Sequence, residues 1–302
     1  MKVWTLIERA LATHGTCAMV SVIKAEGSCP REEGARMVVT PAGFHGTIGG
    51  GTLEWKALAL AQGLLNKPRA VKLVNQSLGP DLGQCCGGRV KLVVESFDAS
   101  NINEARAFAA REAEGPFTVS DRLAGLGVTE TFGEKRRTVL VFGAGHVGRA
   151  VVLALAPLPF DVIWADPRPE AFPGAAPSNA TVVHGEPLAV IAKAPAGSFA
   201  FVMSHSHGLD LAIVDAALRN PNLTHAAVIG SATKRARFEK RLRAAGVDRQ
   251  RVNGMICPIG IGGIRSKLPA AIAVSTVAQI IALDEALAVR AEAPAAIQRT
   301  AG

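Results

Sequence analysis

Residues 137–166, RTVLVFGAGHVGRAVVLALAPLPFDVIWAD, contain the pattern that decides the fold. A strand-like run leads into a glycine-rich turn and a helical pattern, and a second apolar run ends at Asp166. This is the context that the dinucleotide fingerprint GxGxxG requires. Gly143 would permit the tight turn, Gly145 would admit a pyrophosphate, and Gly148 would let the helix pack closely. Asp166 would accept a ribose hydroxyl, so the stretch predicts a Rossmann-like unit for NAD(P) or another phosphorylated ligand.

The rest of the chain predicts two domains of different class. Short apolar runs alternate with helical patterns over residues 136–290, which is typical of a parallel sheet with crossover helices. Residues 1–98 instead predict an α+β domain with four strands, a helix near 2–13 and a second helix with Thr52 as its N-cap. The predicted fold class is therefore α/β, with an N-terminal α+β domain followed by a Rossmann-like, doubly wound parallel-sheet domain.

Two segments lack a strand period. Residues 99–135 are polar and predict a linker with a helix near 102–113. Residues 291–302 are rich in Ala and Pro and predict a flexible tail.

Composition narrows the class of protein. The 302 residues are 49% hydrophobic and 19% charged, which suits a packed core rather than disorder. No secretory leader pattern is visible, and the apolar stretch at residues 270–283 is too short for a bilayer, so it predicts a buried helix. We therefore expect a cytoplasmic protein that does not enter the membrane.

The excess charge is local. The net charge is +8, and residues 234–251 contain eight basic and two acidic residues. Aromatic residues are 5% of the chain and Tyr is absent, so nucleic-acid binding is disfavoured. Ser231, Lys234 and Arg235 open this segment at a predicted helix N-terminus and could bind an anion, or the segment could be a solvated basic face.

Two glycine- or cysteine-rich turns stand out in the first domain. Gly49, Gly50 and Gly51 precede a helix and could form a nest of N–H donors for an anion, or merely a tight turn. Cys85 and Cys86 are adjacent, beside Arg89, which would favour a thiolate. In a reducing compartment these thiols could bind a metal, relay sulfur or act as a redox switch, or one could simply pack inward.

The remaining polar candidates are Arg31, whose planar fork could hold a phosphate or carboxylate, and a histidine cluster. His205, His207 and Asp210 lie in MSHSHGLD, residues 203–210. They could bind a metal or transfer protons. Alternatively His205 ends a strand, His207 is solvated and Asp210 caps a helix.

Seven segments together resemble the XdhC/CoxI family. They are GSCPREEGARMVV (27–39), GTIGGGTLE (46–54), LGQCCGGRVKLVVE (82–95), VFGAGHVGRA (141–150), SHSHGLD (204–210), GSATKRARF (230–238) and CPIGIGGIRSKLPAAIAVS (257–275). The resemblance implies an accessory protein, without turnover of its own, that matures xanthine dehydrogenase and related molybdenum hydroxylases.

The resemblance further implies a molybdenum cofactor chaperone. It would protect the cofactor received from the proteins of its biosynthesis, present it to a cysteine desulfurase for sulfuration and deliver it to apo-xanthine dehydrogenase. A homodimer is also implied. The glycine nest or Lys234 and Arg235 would hold the cofactor phosphate, and Cys85 or Cys86 would approach molybdenum. Cys86 matches the family pattern more firmly than Cys85, and Cys29 stands where many relatives have Ser or Thr.

An enzyme remains the alternative function. An NAD(P)-dependent oxidoreductase would use Gly143, Gly145 and Gly148 for the cofactor, with His205 or His207 as the acid/base. That hypothesis leaves the N-terminal domain and the adjacent cysteines without a role.

Overall fold

The computed structural model of the chain describes residues 1–79, 87–120, 122–123 and 125–299, with side chains up to residue 289. The chain divides into two compact units, Met1–Lys135 and Arg136–Gly302. The elements of the first unit are α1 (Val3–His14), β1 (Thr16–Glu26), β2 (Arg36–Thr40), β3 (Gly43–Gly46), α2 (Gly51–Gln62), β4 (Val71–Ser77), β5 (Arg89–Asp98), α3 (Ile102–Glu114), β6 (Phe117–Ser120) and β7 (Thr129–Phe132).

The first unit is built on an antiparallel sheet in the order β3-β2-β1-β5-β4. Residues 17–22 of β1 are all buried because helices cover both faces of the sheet. On one face Leu53 of α2 packs with Val20. On the other face Trp4 of α1 packs with Met19. The predicted α+β character of this unit is confirmed.

The segment predicted as a linker is folded into the first unit. Its helix is present as α3, and Glu112 of α3 accepts hydrogen bonds from the backbone N–H groups of Val3 (2.8 Å) and Trp4 (3.1 Å) at the start of α1. The β6–β7 hairpin brings buried Glu130 to Arg122, whose guanidinium also forms two 2.7 Å bonds to Glu95. These buried contacts are polar, so a search for apolar periodicity overlooks them.

The second unit is a parallel sheet with crossover helices. Its elements are β8 (Arg137–Phe142), α4 (His146–Leu155), β9 (Phe160–Asp166), β10 (Ala180–His184), α5 (Pro187–Ala192), β11 (Ser198–Val202), α6 (His207–Arg219), β12 (Leu223–Val228), α7 (Ala232–Ala244), α8 (Arg249–Asn253) and α9 (Pro269–Arg299). The strand order is β10-β9-β8-β11-β12. The order reverses between β8 and β11, where open parallel sheets bind ligands. The Rossmann-like prediction is confirmed.

Helix α9 is longer than the sequence suggested. Its backbone continues to Arg299, through most of the segment predicted as a flexible tail. Residues Pro269–Val289 are long and apolar enough to cross a membrane by length and composition, contrary to the expectation of a stretch too short to do so. One face of the helix packs in the core through Ala273, Val277 and Ile280.

Candidate functional site

The glycine loop of the second unit connects β8 to α4. Gly143 has φ +117°, and a Cβ atom there would lie 2.3 Å from the Met203 carbonyl oxygen. A Cβ at Gly148 would lie 1.9 Å from the Gly143 carbonyl oxygen. Gly145 is the N-cap of α4, and a Cβ there would meet nothing within 4 Å. Two glycines are therefore required by packing, while the space beside Gly145 is open.

Asp166 is not the free ribose acceptor that the sequence predicted. It is 1% exposed. Its Oδ2 accepts from Ala144 N–H (2.8 Å) and Arg168 Nη2 (2.9 Å), and its Oδ1 accepts from Arg168 N–H and Nε (both 3.0 Å). Burial raises the pKa of Asp166, but the hydrogen bonds from Arg168 and Ala144 outweigh it and hold that pKa below its usual range. The carboxylate fixes the glycine loop instead of facing a ligand.

The expected metal cluster is not assembled. Asp210 is 2% exposed, and it accepts from Ser204 Oγ (2.6 Å) and pairs with Lys234 Nζ at 2.5 Å. His205 and His207 are exposed and do not join it. Within the described residues no group of three or more His, Cys, Asp or Glu could hold a metal ion. Asp210 can be buried as a carboxylate because Lys234 is its charged partner.

The predicted anion site at the start of α7 is also occupied by internal contacts. Lys234 donates a second bond to the Ile229 carbonyl oxygen at 2.8 Å. Ser231 caps the helix by accepting from Lys234 N–H. Arg235 is bound to Glu239 at 2.8 Å and to the Asn253 carbonyl oxygen at 3.2 Å. Both predicted cations are therefore structural, and the exposed charge of α7 lies on the residues that follow them.

The glycine turn of the first unit contains its own carboxylate. Gly49, Gly50 and Gly51 have φ of +125°, +75° and +64°, which favours glycine at all three positions. Gly50, not Thr52, is the N-cap of α2. Glu54 accepts from the N–H groups of Ile48 (2.9 Å) and Gly50 (3.2 Å) and from the hydroxyl of Thr47.

Glu54 thus occupies the place predicted for an external anion. Burial opposes its ionisation, yet the hydrogen bonds from Thr47, Ile48 and Gly50 hold the pKa of this carboxyl below its usual range. The N–H of Gly49 is bonded to the Thr47 hydroxyl at 3.1 Å. The expectation that this nest binds a ligand phosphate is therefore wrong for the donors of residues 48–50.

Cys85 and Cys86 lie outside the described residues, but the glycine that follows them is described. A Cβ at Gly88 would lie 2.5 Å from the Ser28 carbonyl oxygen and 2.7 Å from Cys29 Sγ. Cys29 Sγ donates to the Glu26 carbonyl oxygen at 3.2 Å. The described end of the CCGG turn therefore packs against a third thiol, Cys29, to which the sequence analysis assigned no role.

A recess of about 470 Å³ adjoins this turn, and sequence reasoning missed it. It is lined by Lys24, Glu26, Asn75, Gln76, Ser77, Arg89, Val90 and Lys91. We call it the strand-end recess. Lys24 pairs with Glu26 at 2.5 Å, whereas Arg89 and Lys91 have no ion pair in the described part of the chain. The register that places Lys91 opposite both Lys24 and Asn75 brings these groups together, and only strand pairing reveals it.

Arg31, the other predicted anion-binding residue, lies in a different recess of the first unit. That recess is about 380 Å³ and also includes Arg36 and Glu134. The Arg31 side chain is 40% exposed and reaches Glu32 at 3.4 Å. The Arg31 side chain therefore remains accessible.

Comparison with known proteins identifies both units. The family model described as the XdhC Rossmann domain matches residues 139–280, and the model for the XdhC and CoxI family matches residues 10–74. The uncharacterised protein YqeB of Escherichia coli (strain K12) is 26% identical over 269 residues, which are 87% of this chain and 43% of YqeB. The chain therefore spans less than half of that relative.

A solved structure extends the likeness to the fold of nearly the whole chain. The Bacillus halodurans protein described as a xanthine dehydrogenase has a TM-score of 0.76 and 22% identity, with 95% of this chain and 96% of that chain covered. At this identity the match shows the fold alone. With both domain models found in the same order as the two units, the chain belongs to the XdhC and CoxI family.

Proposed function

We propose that this chain is an accessory protein for a xanthine dehydrogenase or a related molybdenum hydroxylase. It carries the molybdenum cofactor as cargo, presents it to a cysteine desulfurase and delivers the sulfurated form to the apo-hydroxylase. The observation that carries the proposal is the match to both XdhC-type domain models in one chain. The CCGG turn, residues 85–88, follows the match to the first model, which ends at residue 74. The molybdenum centre supplies redox chemistry to the enzyme that receives it, and this chain binds and shields it.

The strand-end recess has the donor set that such a cargo needs. A pyranopterin carries a phosphate at one end and a ring with several donors and acceptors. Arg89 and Lys91, which have no ion pair among the described residues, would bind the phosphate. The planar fork of Arg89 can contact two phosphate oxygens at once. The amides of Asn75 and Gln76 can both donate to and accept from a polar ring. The residues present therefore fit an anionic heterocycle.

Cys86 is the thiol that we propose lies beside molybdenum. A thiolate is a soft ligand that suits a soft, oxygen-sensitive metal centre. Cys86 precedes Gly88 by two residues in the sequence, and Arg89, which begins β5, lines the recess. In this proposal the nearby cation favours the thiolate form of Cys86. We therefore propose that the phosphate lies toward Arg89 and Lys91 while molybdenum lies toward Cys86. The glycine turn of the first unit and the Lys234 site have no part in this proposal, since internal contacts occupy them.

The test is anaerobic incubation of the purified chain with molybdenum cofactor, followed by gel filtration and assay of the co-eluting metal and pterin. We expect near-stoichiometric retention by the parent protein. Arg89→Glu should reduce retention of both metal and pterin about tenfold or more, because one charge-assisted phosphate contact contributes about 1.5–3 kcal/mol and the new carboxylate repels the anion. Cys86→Ala should reduce retention and allow faster oxidation of what is bound.

Matched controls keep this test specific. Cys85→Ala removes the neighbouring thiol, and Arg237→Glu reverses an exposed charge on α7. Both controls should retain cofactor like the parent. Retention by Arg89→Glu and Cys86→Ala equal to that of the controls would refute the proposed site, and a parent that retains no cofactor would refute the carrier function itself.

A further inference from the structure

The end of β9 presents a cation where the fingerprint led us to expect a carboxylate. Arg168 bonds Asp166 through N–H, Nε and Nη2, and its Nη1 makes no hydrogen bond within the described residues. Its side chain is 38% exposed, whereas that of Asp166 is 0% exposed. The guanidinium is therefore held in a fixed position by a buried carboxylate, with one edge left toward solvent.

A second arginine lies beside the same loop. Arg149, on the first turn of α4, donates through Nε to the carbonyl oxygens of Ala144 (3.0 Å) and Ala171 (3.2 Å). It connects the glycine loop to the segment that follows Arg168. Glu170 is the exposed acidic residue in that segment. With buried Asp166 it balances the two arginines in formal charge, and Arg168 is the cation that faces solvent at the end of β9.

We propose that the second unit binds an adenine nucleotide with a phosphate on its ribose 2′-oxygen, of the NADP(H) class, and that Arg168 contacts that phosphate. In Rossmann folds, a carboxylate at the end of the second strand accepts from the ribose 2′-hydroxyl of NAD, whereas a nearby Arg accommodates the 2′-phosphate of NADP. Here the hydrogen bonds of the buried Asp166 are directed inward, and the group that faces outward is Arg168.

The remainder of the loop is consistent with a nucleotide. The open space at Gly145 allows a pyrophosphate to approach the N-terminus of α4, where backbone N–H groups and the helix dipole favour negative charge. The switch point between β8 and β11 is directly adjacent, because a Cβ at Gly143 would touch the Met203–Ser204 backbone. The proposal concerns binding, is independent of the cargo site in the first unit, and assigns no hydride transfer to the chain.

The test is equilibrium binding of NADPH, NADH, adenosine 2′,5′-bisphosphate and 5′-AMP to the full chain at fixed ionic strength. The parent protein should bind each 2′-phosphorylated compound about tenfold or more tightly than its unphosphorylated counterpart, as expected for one charge-assisted contact. Arg168→Gln should bring both ratios close to one. Each ratio compares two ligands on the same variant, so a general loss of affinity from a displaced glycine loop does not change it.

Two further variants locate the effect. Gly145→Asp places a favoured N-cap residue in open space, so the helix should persist. The new carboxylate should repel the pyrophosphate of the dinucleotides and the 5′-phosphate of the mononucleotides, and so abolish binding of all four compounds. Arg237→Gln removes one positive charge on α7 and should preserve both ratios. Equal affinities in the parent, ratios that survive Arg168→Gln, ratios that fall equally in Arg237→Gln, or absence of nucleotide binding would each overturn the proposal. Failure here leaves cofactor retention by the first unit unaffected, so the two proposals fail separately.

Discussion

The chain has two glycine turns that lead into helices, one in each unit, and their surroundings differ. At the first, Gly49–Gly51 adopt left-handed conformations around Glu54, a carboxylate from the helix itself. At the second, Asp166 accepts a hydrogen bond from Ala144 N–H, and the space beside Gly145 stays open. The backbones of the two turns also differ, since Gly49–Gly51 all have positive φ whereas Gly143 has φ +117° and Gly145 has φ −72°. Residues outside the glycine pattern decide whether the N–H donors remain available.

The largest expected effect is a difference in stability between alanine substitutions at two glycines of the second turn. Gly148→Ala places a Cβ 1.9 Å from the Gly143 carbonyl oxygen, whereas Gly145→Ala meets nothing within 4 Å. We expect the first substitution to lower the free energy of unfolding by about 3 kcal/mol or more through overpacking, and the second by less than about 1 kcal/mol. Denaturant unfolding followed by circular dichroism measures both. Equal losses would mean that the loop relaxes around the added methyl group.

The next prediction has an intermediate expected effect: removal of the Glu54 carboxylate should convert the first turn into an anion-binding site. Glu54→Ala leaves the N–H groups of Ile48 and Gly50 without their acceptor, at a cost of about 1–3 kcal/mol. Inorganic phosphate should then raise the melting temperature of this variant more than chloride at equal ionic strength. The parent and Glu114→Ala, a substitution at an exposed glutamate of the same unit, should not respond. If phosphate does not raise the melting temperature of Glu54→Ala more than chloride does, the glycine geometry alone does not form an anion site.

The smallest effect is a pH dependence carried by the same carboxyl group. The pKa of Glu54 is lower in the folded chain than in the unfolded chain, so its contribution to stability is present above about pH 4.5 and is lost as the pH falls through the folded value. Glu54→Gln should therefore be less stable than the parent by about 1 kcal/mol at pH 7 and should approach it as the pH falls through the folded pKa of Glu54. A difference between parent and variant that is constant over pH 3–7 would contradict this assignment.

The sequence predicted backbone conformations well and polar partners poorly. Periodicity and the glycine spacing identified the parallel sheet, the loop at Gly143 and helix α3 correctly. They assigned Asp166 to a ligand because its position is right, although Arg168, two residues later, binds it. They likewise treated Lys234 as a free cation, because its partner Asp210 is 24 positions away on another helix. Such ion pairs depend on which helices and strands pack against each other. The apolar periodicity of a single sequence does not reveal this packing.

The segment at 99–135 illustrates the same limit. Strand β7 alternates exposed and buried residues, but one buried position is Glu130, so the alternation does not look hydrophobic. The Glu130 carboxylate can be buried because it forms ion pairs with Arg122 and with Arg36 of β2. The strand-end recess is missed for a related reason, since its residues belong to three strands and become neighbours only through their register.

The ion pair between Lys234 and Asp210 has a consequence for the evolution of this family. The pair connects α6 to α7 in the interior, where either charge without the other is costly but joint replacement by apolar residues of similar size can be nearly neutral. Natural selection should therefore remove single changes at these two positions and accept simultaneous ones. Among homologous chains, positions 210 and 234 are expected to covary, so an ancestral intermediate that carries only one of the two charges would be rare.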